Sequence, residues 1–280
     1  MTELRRRMLE DMELHGLAPN TQDCYVNAVR RLAQYYGRSP DRLTQGEIRR
    51  FFLYLINEKE AGESTVKLHL YGIKFLYEKT LGRQWPVLSL VRPRRSKKLP
   101  VVLSPEEVRR LLAHVRQATQ RTCLTTIYSC GLRLSEGTHL EVGDIDSGRM
   151  MVRIRNAKGG KDRDVPVPQR TLELLRAYWR GERPQRWLFP AKNAHSHIPN
   201  TTLQKTFKAV LCESGVRKDA SVHTLRHSYA THLMDNGVPL RVIQEILGHR
   251  SPRTTALYTH LTQRTVDGLQ ATVNRLMADL

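Results

Sequence analysis

"RMMVRIRNAKGGKDRDVPVP", residues 149–168, is the clearest strand signal in the chain. Two short runs flank Gly159-Gly160, a pair able to take the positive φ angles of a tight turn, so a β-hairpin is expected there. Pro166 and Pro168 cannot donate to a ladder and mark the second strand as an exposed edge. On both sides of the hairpin the apolar residues return at helical spacing, which sets the fold class as mainly α with a small β-sheet.

Upstream, residues 1–91 read as helices. In "NTQDCYVNAVRRLAQYYG", Tyr25, Val29, Leu32 and Tyr36 share one face behind an expected Asn20 or Thr21 cap, and Gly37 ends the run. Thr44 and Glu47 have the T-x-x-E spacing of a capping box ahead of Ile48, Phe51, Phe52 and Leu55. The next segment turns Leu70, Ile73 and Tyr77 inward and leaves Lys67, Lys74 and Lys79 to solvent or phosphate. A four-helix bundle is expected over 1–91. Residues 92–103 break the pattern, because Arg92, Arg94, Arg95, Lys97 and Lys98 stand among prolines that cannot continue a helix. A basic interdomain linker that neutralises phosphates is expected there, with a solvated charged loop as the other reading. Ser104, Pro105 and Glu107 restart a helix and open a second domain over 104–280.

Charge narrows the partner. The 280 residues hold 46 Lys plus Arg against 27 Asp plus Glu, a formal charge of +19, with 40% hydrophobic residues to build cores. So large an excess on a folding chain favours a polyanion, with nucleic acid foremost. Cys24, Cys123, Cys130 and Cys212 form no C-x-x-C pair, and "MTELRRRMLE" is not a signal peptide, so a reduced, cytoplasmic protein is expected. The apolar run "FFLYLI" falls far short of the roughly 20 residues that cross a bilayer, so no membrane association is expected. His195 and His197 sit in a Pro- and Asn-rich loop without nearby Cys or carboxylate partners, and no metal is assigned to them.

The segment "HTLRHSYATHLMDNG", residues 223–237, reads as an amphipathic helix on which His223 and Arg226 share a face. His232 falls on another stripe and reads as a satisfied helix-face histidine. An H-x-x-R pair alone is weak. It becomes informative beside "SCGLRLSEGTHL" with Arg133, "NAKGGKDR" with Lys158, "LGHRS" with His249 and "TTALYTHL" with Tyr258. In that order these motifs resemble the tyrosine recombinase (phage integrase) family, over essentially the whole chain. The type is the simple two-domain one, similar to Xer recombinases or integron integrases. The two domains account for the whole length, so no additional arm-site DNA-binding domain is expected.

The resemblance implies an N-terminal four-helix DNA-binding bundle followed by a mixed α/β catalytic domain. It implies a site-specific recombinase that needs no cofactor and cuts and rejoins double-stranded DNA through a 3′-phosphotyrosyl intermediate. It further implies a monomer in solution that assembles as a homo-tetramer on two duplexes, or with a second recombinase subunit. Tyr258 would be the nucleophile, Arg133 and Arg226 the guanidinium donors to the phosphate, and Lys158 the acid for the 5′ oxygen, with Lys161 next in rank. His223 would handle the tyrosine proton, His249 would hydrogen-bond the phosphate, and Glu136 would orient Arg133. Lys67, Lys74, Lys161 and the five linker cations would contact DNA. The tail carries Val266, Leu269, Val273 and Leu276 at helical spacing, and in the family such a helix docks on a neighbouring protomer. Two other readings stay open: a DNA-binding regulator that kept the fold without cleavage, and a tyrosine-nucleophile topoisomerase. Gly137 and Thr138 depart from the larger apolar residues relatives often carry, which puts the helix packing beside Arg133 in question.

Overall fold

The computed structural model describes residues 2–91, 100–157 and 161–248. The chain divides into two compact units, Met1–Lys98 and Leu99–Leu280.

The first unit is built from α1 (Glu3–Leu14), α2 (Pro19–Tyr36), α3 (Gln45–Leu53), α4 (Glu63–Phe75) and a short α5 (Val87–Leu90). The Thr44–Glu47 capping box is formed in both directions at the start of α3. α2 starts ahead of the expected Asn20 or Thr21 cap: Pro19 occupies the first helical position behind Ala18, with no side-chain cap. Proline serves there because the missing N–H would have had no helical partner. α3 and α4 each run into a wide π turn, over Tyr54–Glu58 and Leu76–Thr80, closed by Lys59 N–H to the Tyr54 carbonyl at 3.0 Å and Leu81 N–H to the Leu76 carbonyl at 2.9 Å. The expected stripes meet inside: Leu32, Ile48, Phe51, Ile73 and Tyr77 are buried against Met8 and Met12 of α1. The Tyr77 ring stacks on Trp85 at 4.0 Å and its hydroxyl donates to the Pro40 carbonyl.

The second unit is mostly helical: α6 (Pro105–Ala113), α7 (Ala118–Ser129), α8 (Leu134–Thr138), α9 (Gln169–Glu182), α10 (Asn200–Glu213), α11 (Val222–Asp235) and α12 (Leu240–Leu247). Ser104 and Glu107 cap α6 reciprocally with Pro105 at its first position. The hairpin forms as β2 (Met151–Ala157) and β3 (Lys161–Pro166), antiparallel, with Val152 opposite Val165 and Ile154 opposite Arg163. β3 is an edge strand in the order β1 (Ile145–Asp146), β2, β3. The sequence did not suggest β1 (Ile145–Asp146), because two residues are too few to show a period of two. Val152 and Val165 join Leu111, Ile127, Phe189, Phe207 and Leu225 in one core.

Two features of this core bear on the site. α11 is not the half-wet helix its sequence suggests, since Thr224, Arg226, Ser228 and Thr231 are buried along with Val222, Leu225 and Ala230. Their polar atoms are satisfied at short range: Ser228 Oγ donates to the Thr224 carbonyl and accepts from Leu103 N–H, both at 2.9 Å, and Thr231 Oγ1 donates to the His227 carbonyl at 3.2 Å. At α8 the small residues turn out to be required. A Cβ on Gly137 would come within 2.4 Å of Ile127 Cγ1, and Thr138, fully buried, hydrogen-bonds Asn200 Oδ1 at 2.8 Å. α8 therefore lies directly on α7, and the packing beside Arg133 is closed by Ile127 rather than by a larger side chain of its own.

Candidate active site

Arg133 immediately precedes α8, and its backbone N–H donates to Glu136 Oε2 at 2.8 Å while Nη1 donates to Glu136 Oε1 at 2.5 Å. Arg133 and Glu136 thus form an ion pair, but the carboxylate is shared. Arg163, from the middle of β3, approaches it end-on with both prongs, Nη1 to Oε1 at 3.0 Å and Nη2 to Oε2 at 2.8 Å. Arg226 Nη1 stands 3.6 Å from Oε2. Three guanidiniums from three separate elements therefore surround one carboxylate.

The far side of the cluster is the C-terminus of α12. The last carbonyls of a helix have no partner within it and carry the negative end of its dipole. Here three consecutive carbonyls are taken one by each arginine: Ile246 by Arg163 Nε at 2.9 Å, Leu247 by Arg226 Nη2 at 2.6 Å, and Gly248 by Arg133 Nη2 at 3.3 Å. Arg226 also donates to the Gly131 carbonyl at 2.8 Å. It is 1% exposed, whereas the Arg133 side chain keeps 22% of its surface open. A cation as deep as Arg226 is tolerable only because its donors are paired.

Electrostatics follows the packing. Burial pushes the Glu136 carboxyl up, but the Arg163 hydrogen bond and charge, the Arg133 N–H and the Arg133 charge outweigh it and hold the group at about 2. Glu136 is an anion under all ordinary conditions. On α11, desolvation and then the charges of Arg226 and Arg133 lower His223, which leaves it neutral near pH 7 with a ring nitrogen able to accept a proton. His227 packs edge-on against it with ring centroids 4.5 Å apart, and desolvation, His223 and Arg226 bring it down to about 4. His232 stands apart, with Nε2 donating to the Leu103 carbonyl at 2.9 Å and Nδ1 accepting from Tyr128 Oη at 2.9 Å. It is the satisfied helix histidine its stripe suggested.

The structure thus brings Arg133, Glu136 and Arg226 together, with His223 close enough to feel both arginines. Lys158, His249, Tyr258, the linker cations Arg92, Arg94, Arg95, Lys97 and Lys98, and the tail residues Val266, Leu269, Val273 and Leu276 lie outside the described residues. Lys161 opens β3. On α4, Lys67 pairs with Glu63 at 2.5 Å, and Lys74 lies 3.6 Å from Glu78 in the following turn; both lysines remain about 40% exposed. His197 stacks on His139 with centroids 3.7 Å apart, its Nδ1 donating to the Ile198 carbonyl at 2.9 Å. Among the described residues no three His, Cys, Asp or Glu side chains are grouped to hold a metal ion, and no helix is long and apolar enough to cross a membrane.

Arg163 is the functional candidate that the motif reading passed over. Its signal was in the hairpin: residues 163, 165 and 167 alternate onto one face, Val165 and Val167 are buried, and Arg163 pairs across the strand with buried Ile154. A cation on the apolar face of a strand calls for a buried carboxylate, which Glu136 supplies.

Comparison with known proteins agrees with this architecture. Residues 101–264 match the phage integrase family, and residues 4–87 match the phage integrase N-terminal SAM-like domain. A Sinorhizobium fredii protein of the integrase/recombinase type is 40% identical over 267 residues, covering 95% of this chain and 87% of the relative. Tyrosine recombinase XerD of Oceanobacillus iheyensis is 32% identical over 270 residues, covering 89% and 90%. In three dimensions the chain is similar to the XerH site-specific recombinase, crystallised bound to its palindromic difH substrate as a post-cleavage complex; the TM-score is 0.70 at 21% identity, over 89% of this chain and 79% of that one. With both domain models matched in order and close relatives aligned over nearly its full length, the chain belongs to the phage integrase family of tyrosine recombinases.

Proposed function

We propose that this protein is a site-specific DNA recombinase that cuts and rejoins strands through a 3′-phosphotyrosyl intermediate, acting as a tetramer on two duplexes. The observation that carries the reading is the Arg133–Glu136–Arg226 cluster, in which two permanently charged forks from different elements converge beside the neutral imidazole of His223. In this mechanism Arg133 and Arg226 balance the charge that builds on the non-bridging oxygens of the scissile phosphate, a task suited to rigid bidentate donors. The Tyr258 oxygen bonds to phosphorus as the bond to the 5′ oxygen breaks. His223 takes the tyrosine proton and Lys158 supplies one to the departing 5′ oxygen, so the cut keeps its bond energy and is reversible. His249 hydrogen-bonds the phosphate. The charge of +19, the partly exposed Lys67 and Lys74, and the cations of the linker sequence suit the duplex backbone. The DNA-bound relatives of like fold support double-stranded DNA as the substrate.

A suicide-substrate assay tests the proposal. Nicked duplexes carrying candidate sites from the flanking DNA are incubated with wild type or Tyr258→Phe, with EDTA present, and run on a denaturing gel. A covalent protein–DNA band with wild type alone is expected. Tight binding across the sites with no band would favour the non-cleaving regulator.

A further inference from the structure

We infer that Arg163 is a positioning residue for strand cleavage: by saturating the Glu136 carboxylate it stops Arg133 and Arg226 from folding onto that anion and holds both guanidiniums in the place from which they meet the scissile phosphate. The inference rests on the recombinase reading and assigns a task within it.

The argument is a count of acceptor sites. A carboxylate offers about four lone-pair positions. On Glu136, Oε1 accepts from Arg133 Nη1 and Arg163 Nη1, and Oε2 accepts from the Arg133 backbone N–H and Arg163 Nη2. All four are taken, two of them by Arg163. Arg226 Nη1 stands 3.6 Å from Oε2, at ion-pair distance. An arginine beside an unsaturated carboxylate would take it with two prongs, which is its preferred geometry. Arg133 and Arg226 are the nearest candidates, and either one turned onto Glu136 would leave the position from which it meets the phosphate.

Arg163 also fixes where this happens. Its Nε holds the Ile246 carbonyl at 2.9 Å, so β3 is tied to the end of α12 through the same side chain that fills Glu136. The Arg163 side chain is 11% exposed and that of Glu136 is 6%, which keeps water from replacing the lost donors cheaply. In the sequence, Lys158 lies five residues before Arg163, and His249 lies two residues after Leu247. One guanidinium of β3 therefore joins Glu136 of α8 to the last turn of α12.

The test compares wild type, Arg163→Met, Arg163→Lys and the double variant Arg163→Met with Glu136→Gln on the nicked duplex. First-order cleavage at saturating protein is read separately from the duplex Kd, with a circular-dichroism melt to report folding. Arg163→Met should lose tenfold or more in cleavage rate with Kd within twofold of wild type. Arg163→Lys, which can meet only one oxygen, should fall between. Removing the charge at 136 should return part of the rate lost in Arg163→Met, because the capturing anion is gone. Wild-type cleavage by Arg163→Met, a loss confined to Kd, or losses that multiply in the double variant would overturn the inference. If Arg163→Met fails to fold, a folded Arg163→Lys that cleaves at the wild-type rate does the same. A wild-type protein that forms no adduct instead counts against the recombinase reading, and the inference falls with it.

Discussion

His227 is held near pH 4 by desolvation, by the ring of His223 and by the charge of Arg226, although a histidine in an unfolded chain titrates near 6.5. Between those values the unfolded chain binds a proton that the native protein refuses. The contribution of this residue to stability is therefore fully present above pH 6.5 and drains away as the pH falls toward 4. His69, His139, His223 and His232 are lowered too, and add in the same direction. Urea unfolding at pH 7.5, 5.5 and 4.5 checks this, and His227→Gln should flatten the slope; an unchanged slope would remove His227 as its source. None of this was legible from the motif, in which nothing marks His227 off from its neighbours. Desolvation is set by what α11 packs against, and the buried Thr224, Ser228 and Thr231 look like a solvent face until their short-range carbonyl partners are seen. Arg163 was passed over for the same kind of reason, since its partner lies 27 residues away in sequence.

At the level of elements, the turn between α7 and α8 sets the arginines. Gly131 has φ +60°, and a Cβ there would meet Tyr229 Cδ1 at 2.4 Å. Its carbonyl is also a ligand of buried Arg226. Gly131→Ala combines left-handed strain with a clash against an aromatic ring of α11, so a destabilisation of about 2–4 kcal/mol is expected. The urea midpoint measures it, and cleavage by the folded fraction should fall as well, because Arg226 loses a fixed acceptor. A midpoint within 0.5 kcal/mol of wild type would mean that Tyr229 yields freely. Helices and caps were readable because their signals are local: Thr44 with Glu47 and Ser104 with Glu107 predict what the structure contains. The π turns after α3 and α4 and the two-residue β1 were not, because nothing in four or five residues separates a wide turn from a helical one.

Across the whole molecule, the order of the motifs carried the fold and the family, since periods of two and 3.6 and a string of short signatures survive without coordinates. What order could not carry is convergence. That Arg133, Arg163 and Arg226 meet on one carboxylate and on three successive carbonyls of α12 depends on how helices cross, which no local pattern encodes. The meeting has a further consequence for the protein at rest. Within that quartet one negative charge faces three positive ones, so the cluster is under mutual repulsion whenever no phosphate lies against it. Any small oxyanion that enters relieves the repulsion and ties down the native state. Sulfate or inorganic phosphate should therefore raise the melting temperature above that in chloride at equal ionic strength, by the equivalent of about 1.4 kcal/mol at tenfold excess over Kd. Arg133→Ala should abolish the difference, and a melt indifferent to the anion would refute it. Under the proposed mechanism, storage buffer and scissile phosphate would compete for the same groups, so an oxyanion that lengthens this protein's life on the bench would weaken its hold on its target.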